Sequence, residues 1–97
     1  MSARPQAVAT VRIENERVKA TEFAFVPGAE TGWHRHGYDY VVVPLTDGQL
    51  VLEEPGGGKR QVALTAGIPY ARPVGVEHNV VNAGPEMLRF LEIEILK

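Results

Sequence analysis

Leu91-Glu92-Ile93-Glu94-Ile95, near the end of the chain, alternates apolar and acidic residues with a period of two. That is the period of a β-strand with one dry face and one polar face, and it does not fit the turn of a helix. Working outward, the same kind of writing recurs: short runs of β-branched and aromatic residues broken by Gly, Pro, Asn and Asp. Val8, Thr10 and Arg12 alternate with Ala9, Val11 and Ile13, and Asn15-Glu16 then supplies a tight turn into a strand over Arg17 to Val26, ended by Pro27-Gly28. A short segment from Trp33 to His36 leads into Asp39 to Leu45, the most apolar run in the chain. Pro44 within that run predicts a bulge or an edge position, because proline donates nothing to a ladder. Asp47-Gly48 is a turn signal before Gln49 to Glu53, and Pro55 with Gly56-Gly57-Gly58 makes a hairpin tip before Arg60 to Leu64. Pro69 to Arg72, Glu77 to Asn82 and Glu86 to Leu96 complete eight or nine short strands. The expected fold is all-β, a small antiparallel barrel or double-sheet jelly roll with less than about a tenth of its residues in helix.

Bulk properties narrow the function. At 97 residues there is room for one domain with one core, taken as residues 1–97. A hydrophobic fraction of 44% and a charged fraction of 23% are those of an ordinary globular protein. The net charge is -2 and the ten Lys and Arg residues are dispersed, so no positive field gathers nucleic acid or an anionic membrane. Met1 to Gln6 is polar with no apolar stretch behind it, and no run approaches the ~20 apolar residues of a membrane span, which predicts a cytoplasmic protein. With no cysteine, a metal here must sit on nitrogen and oxygen. Gly56 to Lys59 lacks the spacing of a phosphate-binding loop and has no helix after it.

The chemistry-bearing residues are the histidines. His34 and His36 stand two apart at the entry to a strand, where positions i and i+2 share a face, so both imidazoles can reach one ion. His78 on a facing strand would complete a three-nitrogen site with open positions. The segment Gly28-x5-His34-x-His36, continuing to Gly48, resembles the first motif of the cupin superfamily, and Gly67-x5-Pro73-x-Gly75-x2-His78-x3-Asn82 resembles the second at every fixed position. This resemblance to small single-domain cupins implies an antiparallel β-barrel with a metal site inside, ligated by His34, His36 and His78. The family pattern usually adds a glutamate three or four residues after the second histidine, where this chain has Tyr40 and Val41. Asp39 has the opposite parity to His36 and should point away. One negative charge fewer shifts preference from magnesium and manganese toward zinc, nickel, copper or ferrous iron.

Tyr38 and Tyr40 share the parity of the histidines and are candidates to line the cavity. Tyr70 and Arg72, just before the second motif, are candidates to meet an anionic ligand at its mouth. Trp33 has the opposite parity to His34 and belongs to the outer face, and Asn82 to a strand end that bonds backbone. The functions left open are a metal-dependent enzyme, for which the resemblance implies dioxygenase or isomerase chemistry, and a metal-bearing module that captures a small carboxylate or sugar without reaction. A barrel with vestigial histidines is the third. The apolar faces of the two terminal strands predict a homodimer, as does the resemblance.

Overall fold

Asn15 turns the chain at its first hairpin: its side-chain oxygen accepts the backbone N–H groups of Arg17 (2.8 Å) and Val18 (3.0 Å). In the computed structural model, which describes residues 3–97, this turn joins strands β1 (Val8–Glu14) and β2 (Val18–Phe25). Then follow β3 (His34–Arg35), β4 (Asp39–Pro44), β5 (Gly48–Glu53), β6 (Lys59–Leu64), β7 (Tyr70–Arg72), β8 (Glu77–Asn82) and β9 (Leu88–Ile95). Strands and isolated bridges take 57% of the described residues and helix 3%, the latter a single 3₁₀ turn at Pro55–Gly57 in the β5–β6 hairpin tip. No helix of the structure is long and apolar enough to cross a membrane.

The strands form two antiparallel sheets, ordered β1-β2-β9-β4-β7 and β3-β8-β5-β6. Their inner faces pack Phe25, Tyr40, Val42, Leu50, Leu52, Leu64, Val80, Leu88 and Phe90 into one core. Pro44 falls where β4 has outrun its neighbour β7, which pairs only as far as Val42, so the missing N–H interrupts no ladder. Asn82, 1% exposed, bonds backbone as its position predicts: it donates to the carbonyls of Phe25 (3.1 Å) and Glu86 (2.9 Å) and accepts the N–H of Gly84 (3.0 Å). Gly67 and Gly75 of the second motif both adopt positive φ, +80° and +95°, which suits glycine at the turns before and after β7.

The alternation of Leu91 to Ile95 is present, with its polar face turned inward. Leu88 and Phe90 are buried in the core, and the same parity carries Glu92 onto the lining of the barrel, opposite Thr21 of β2 and Val42 of β4. Leu91, Ile93 and Ile95 therefore share the outer face with Val41 and Val43.

Candidate metal centre

His34 and His78 are direct cross-strand partners, paired through the two-residue strand β3 against β8. His36 follows β3 and is held by the loop of the second motif: its N–H donates to the carbonyl of Val76 and its carbonyl accepts the N–H of Gly75, both at 2.8 Å. The three side chains converge. His34 Nε2 lies 3.0 Å from His36 Nε2, which lies 3.1 Å from His78 Nε2, and the ligand atoms of all three lie within 4.8 Å of one another.

Donor chemistry fits a cation at this point. His34 Nδ1 lies 2.9 Å from the carbonyl of Gly32, so its N–H is spent there and Nε2 keeps its lone pair. Burial first, and the neighbouring imidazole of His34 second, lower the pKa of His36 to about 4 and that of His78 to about 3. Both rings are thus neutral at pH 7, the form that coordinates. Imidazole nitrogens at about 2.1 Å from one ion stand about 3.0 Å apart at right angles, as in an octahedral shell, and about 3.4 Å apart in a tetrahedral one; the spacing seen is the former. These three residues could hold one divalent metal ion.

The loop that presents His34 is fastened from outside. The N–H of Gly32 donates to Asn79 Oδ1 at 2.9 Å, and Asn79 Nδ2 donates to Glu30 and Glu53, each at 2.8 Å. Arg4 closes the arrangement with ion pairs of 3.0 Å to both glutamates.

Two cavities adjoin the histidines. The wider, about 210 Å³, is lined by Phe23, Thr31, His34, Val80, Phe90 and Glu92. The narrower, about 20 Å³, lies between Tyr40, Tyr70, Arg72, His78 and Glu92 over an aliphatic floor. Tyr40 is buried and its ring stacks on His36, while burial raises the pKa of Tyr40 and of Tyr70, so both phenols stay protonated. Tyr70 and Arg72 both line this cleft.

Tyr38 does not. It is 45% exposed and lines neither cavity, because it sits in the bend at Gly37 and Tyr38 and not on a strand; Tyr40, of the same parity but on β4 past the bend, faces inward. Asp39 points out, where its carboxylate accepts the N–H of Val74 at 2.8 Å. Trp33, 51% exposed, bonds Glu77 on the outer surface. Glu92 is the residue that sequence reasoning did not place here. Its carboxylate lies 3.7 Å from His36 Nε2, and burial, with the charge of Glu94 adding to it, raises its pKa to about 7.

The fold and the histidine cluster define a cupin, and the cupin domain model matches residues 21–94: the chain belongs to the cupin family. It is 60% identical over 95 residues to the beta-alanine degradation protein BauB of Pseudomonas aeruginosa, spanning 98% of this chain and 99% of that one. It is similar as well to a cupin domain crystal structure from Bordetella pertussis, with 57% identity, a TM-score of 0.94 and 98% of each chain covered. A cupin superfamily protein of Desulfitobacterium hafniense shares the fold at 18% identity and a TM-score of 0.73, covering 100% of this chain and 84% of that one.

Proposed function

We propose that the chain is a metal-dependent enzyme that holds one divalent ion on His34, His36 and His78 and acts on a small carboxylate. The observation that carries this reading is the convergence of three Nε2 atoms at 3.0 and 3.1 Å, with the His34 tautomer set by Gly32. A trio of imidazoles favours zinc, nickel, copper or ferrous iron over magnesium or manganese. Bound there, the ion would supply Lewis acidity toward a carboxylate or carbonyl oxygen. Arg72, beside Tyr70 in the narrow cleft, offers a cation to a carboxylate head, and the wider cavity takes the body of a molecule of a few heavy atoms. Phe23, Val80 and Phe90 give the wider cavity apolar walls beside His34. The relative's name supports a role in the breakdown of β-alanine or of small acids made from it. The reaction class stays with those the resemblance implies, dioxygenase or isomerase.

A second reading, a module that captures the same acid without reaction, is supported by the mostly apolar lining of both cavities. Turnover of three-carbon acids by the metal-loaded protein separates the two. The protein is further proposed to be a cytoplasmic homodimer with no nucleic-acid partner.

The test is elemental analysis of protein purified without a metal-affinity tag, set beside His34→Ala, His36→Ala and His78→Ala. One ion per wild-type chain, lost in each variant, is expected. Folded variants that all keep the ion in full would overturn the assignment.

A further inference from the structure

Glu92 is a glutamate in the wrong place for a strand that should only wall a core. It follows Phe90, which is 4% exposed, on the inward face of β9, and lines both cavities beside the histidines. Its side chain is 14% exposed, yet among the described residues it has no hydrogen-bond donor and no Lys or Arg partner; the nearest ionisable nitrogen is His36 Nε2 at 3.7 Å. A carboxylate withdrawn from water without a cation costs several kcal/mol, roughly, and does not persist in a core without a purpose.

We propose that Glu92 is the carboxylate ligand of the metal centre, supplied from β9 in place of the glutamate that the cupin pattern usually sets on the strand after the second histidine. This rests on the three-histidine reading above. The usual place is taken by Tyr40, whose ring stacks on His36 at 3.8 Å and carries no carboxylate. Glu92 approaches across the sheet, in register with Val42 of β4. Its 3.7 Å to His36 is somewhat longer than the about 3.0 Å of ligands at right angles on one ion, so coordination would require a turn about its side-chain torsions. Three nitrogens and one carboxylate leave positions open on the ion, and the carboxylate restores the negative charge that the sequence of the first motif lacks. Hard ions gain most from an oxygen anion, so Glu92 widens the metals the centre accepts to include manganese.

The experiment is calorimetric titration of the chelator-stripped protein with Mn²⁺ and with Zn²⁺, for wild type, Glu92→Gln, Glu92→Asp and His78→Ala. Glu92→Gln is expected to weaken Mn²⁺ binding tenfold or more and Zn²⁺ binding less, with Glu92→Asp between wild type and Gln. Metal-free Glu92→Gln is expected to melt no lower than metal-free wild type; a lower melting temperature would make the glutamate a structural group and overturn the proposal. If wild type binds, His78→Ala does not and Glu92→Gln matches wild type, then Glu92 is not a ligand and the three-histidine reading survives. If wild type binds neither ion, both fail together.

Discussion

The ring of Tyr40 lies face to face with the imidazole of His36, centroids 3.8 Å apart and planes inclined by 17°. Contact of this kind fixes the ring of His36, whose Nδ1 has no hydrogen-bond partner among the described residues. Tyr40→Phe should keep both stability and metal affinity, because the stacked surface is preserved. Tyr40→Ala opens a cavity in a residue only 3% exposed and should cost about 3–5 kcal/mol. Denaturant unfolding measures the first effect, and metal titration should show weaker binding in Ala alone.

Acid should loosen the metal-free protein. His36 and His78 have pKa values of about 4 and about 3 in the fold against an ordinary 6.5, so below 6.5 the unfolded chain binds more protons and stability falls with pH. Glu92 acts in the opposite sense: at about 7 against an ordinary 4.5, it penalises the fold as pH rises between those values. Two imidazoles outweigh one carboxyl. The melting temperature of metal-free protein is therefore expected to drop from pH 6.5 to pH 4.5, and to drop less steeply in His36→Asn. A profile flat over that range would contradict the assignment of neutral, buried rings.

Arg72 is expected to serve the ligand and not the ion. Arg72→Gln should leave metal content at the wild-type value while weakening the binding of propionate or β-alanine about tenfold to a hundredfold, the range for losing one charge-assisted contact. Equal affinities in the two proteins would remove Arg72 from the site.

How much of this was legible follows from parity. His34, His36 and His78 could be found because fixed spacings placed them on strand faces before any pairing was known. Glu92 could not, since Leu91-Glu92-Ile93 reads equally well with either face inside. The information that decides it is non-local: β9 lies between β2 and β4, and pairing with Val42, whose neighbour Tyr40 is buried, is what turns Glu92 inward. Tyr38 failed for the complementary reason, that alternation of faces holds only for residues on a strand, and Tyr38 lies in the bend between β3 and β4 whereas Tyr40 lies on β4.

The edge strand carries the dimer prediction. Every residue of β1 is exposed, with Val8, Val11 and Ile13 between 49% and 62%, and the strand pairs only with β2. Unpaired edges of this kind are normally covered. Light scattering at micromolar concentration should return about twice the 10.6 kDa of one chain, and Ile13→Asp should shift it toward the monomer. A wild-type mass of one chain would count against it.

Arg4 lies far along the sequence from any histidine, yet the relay through Glu53, Asn79 and Gly32 ends at the loop that presents His34. The affinity of the three histidines for an ion would then be tunable from the surface, by a residue outside the cluster. Ionic strength should reach the centre along this route, because an exposed guanidinium is screened by salt whereas the buried imidazoles are not. In Arg4→Ala, metal affinity should be lower at low salt and should converge with wild type as salt is added. An N-terminal fusion partner crowding Arg4 would imitate the variant, and would make the same protein look like a weaker metal binder.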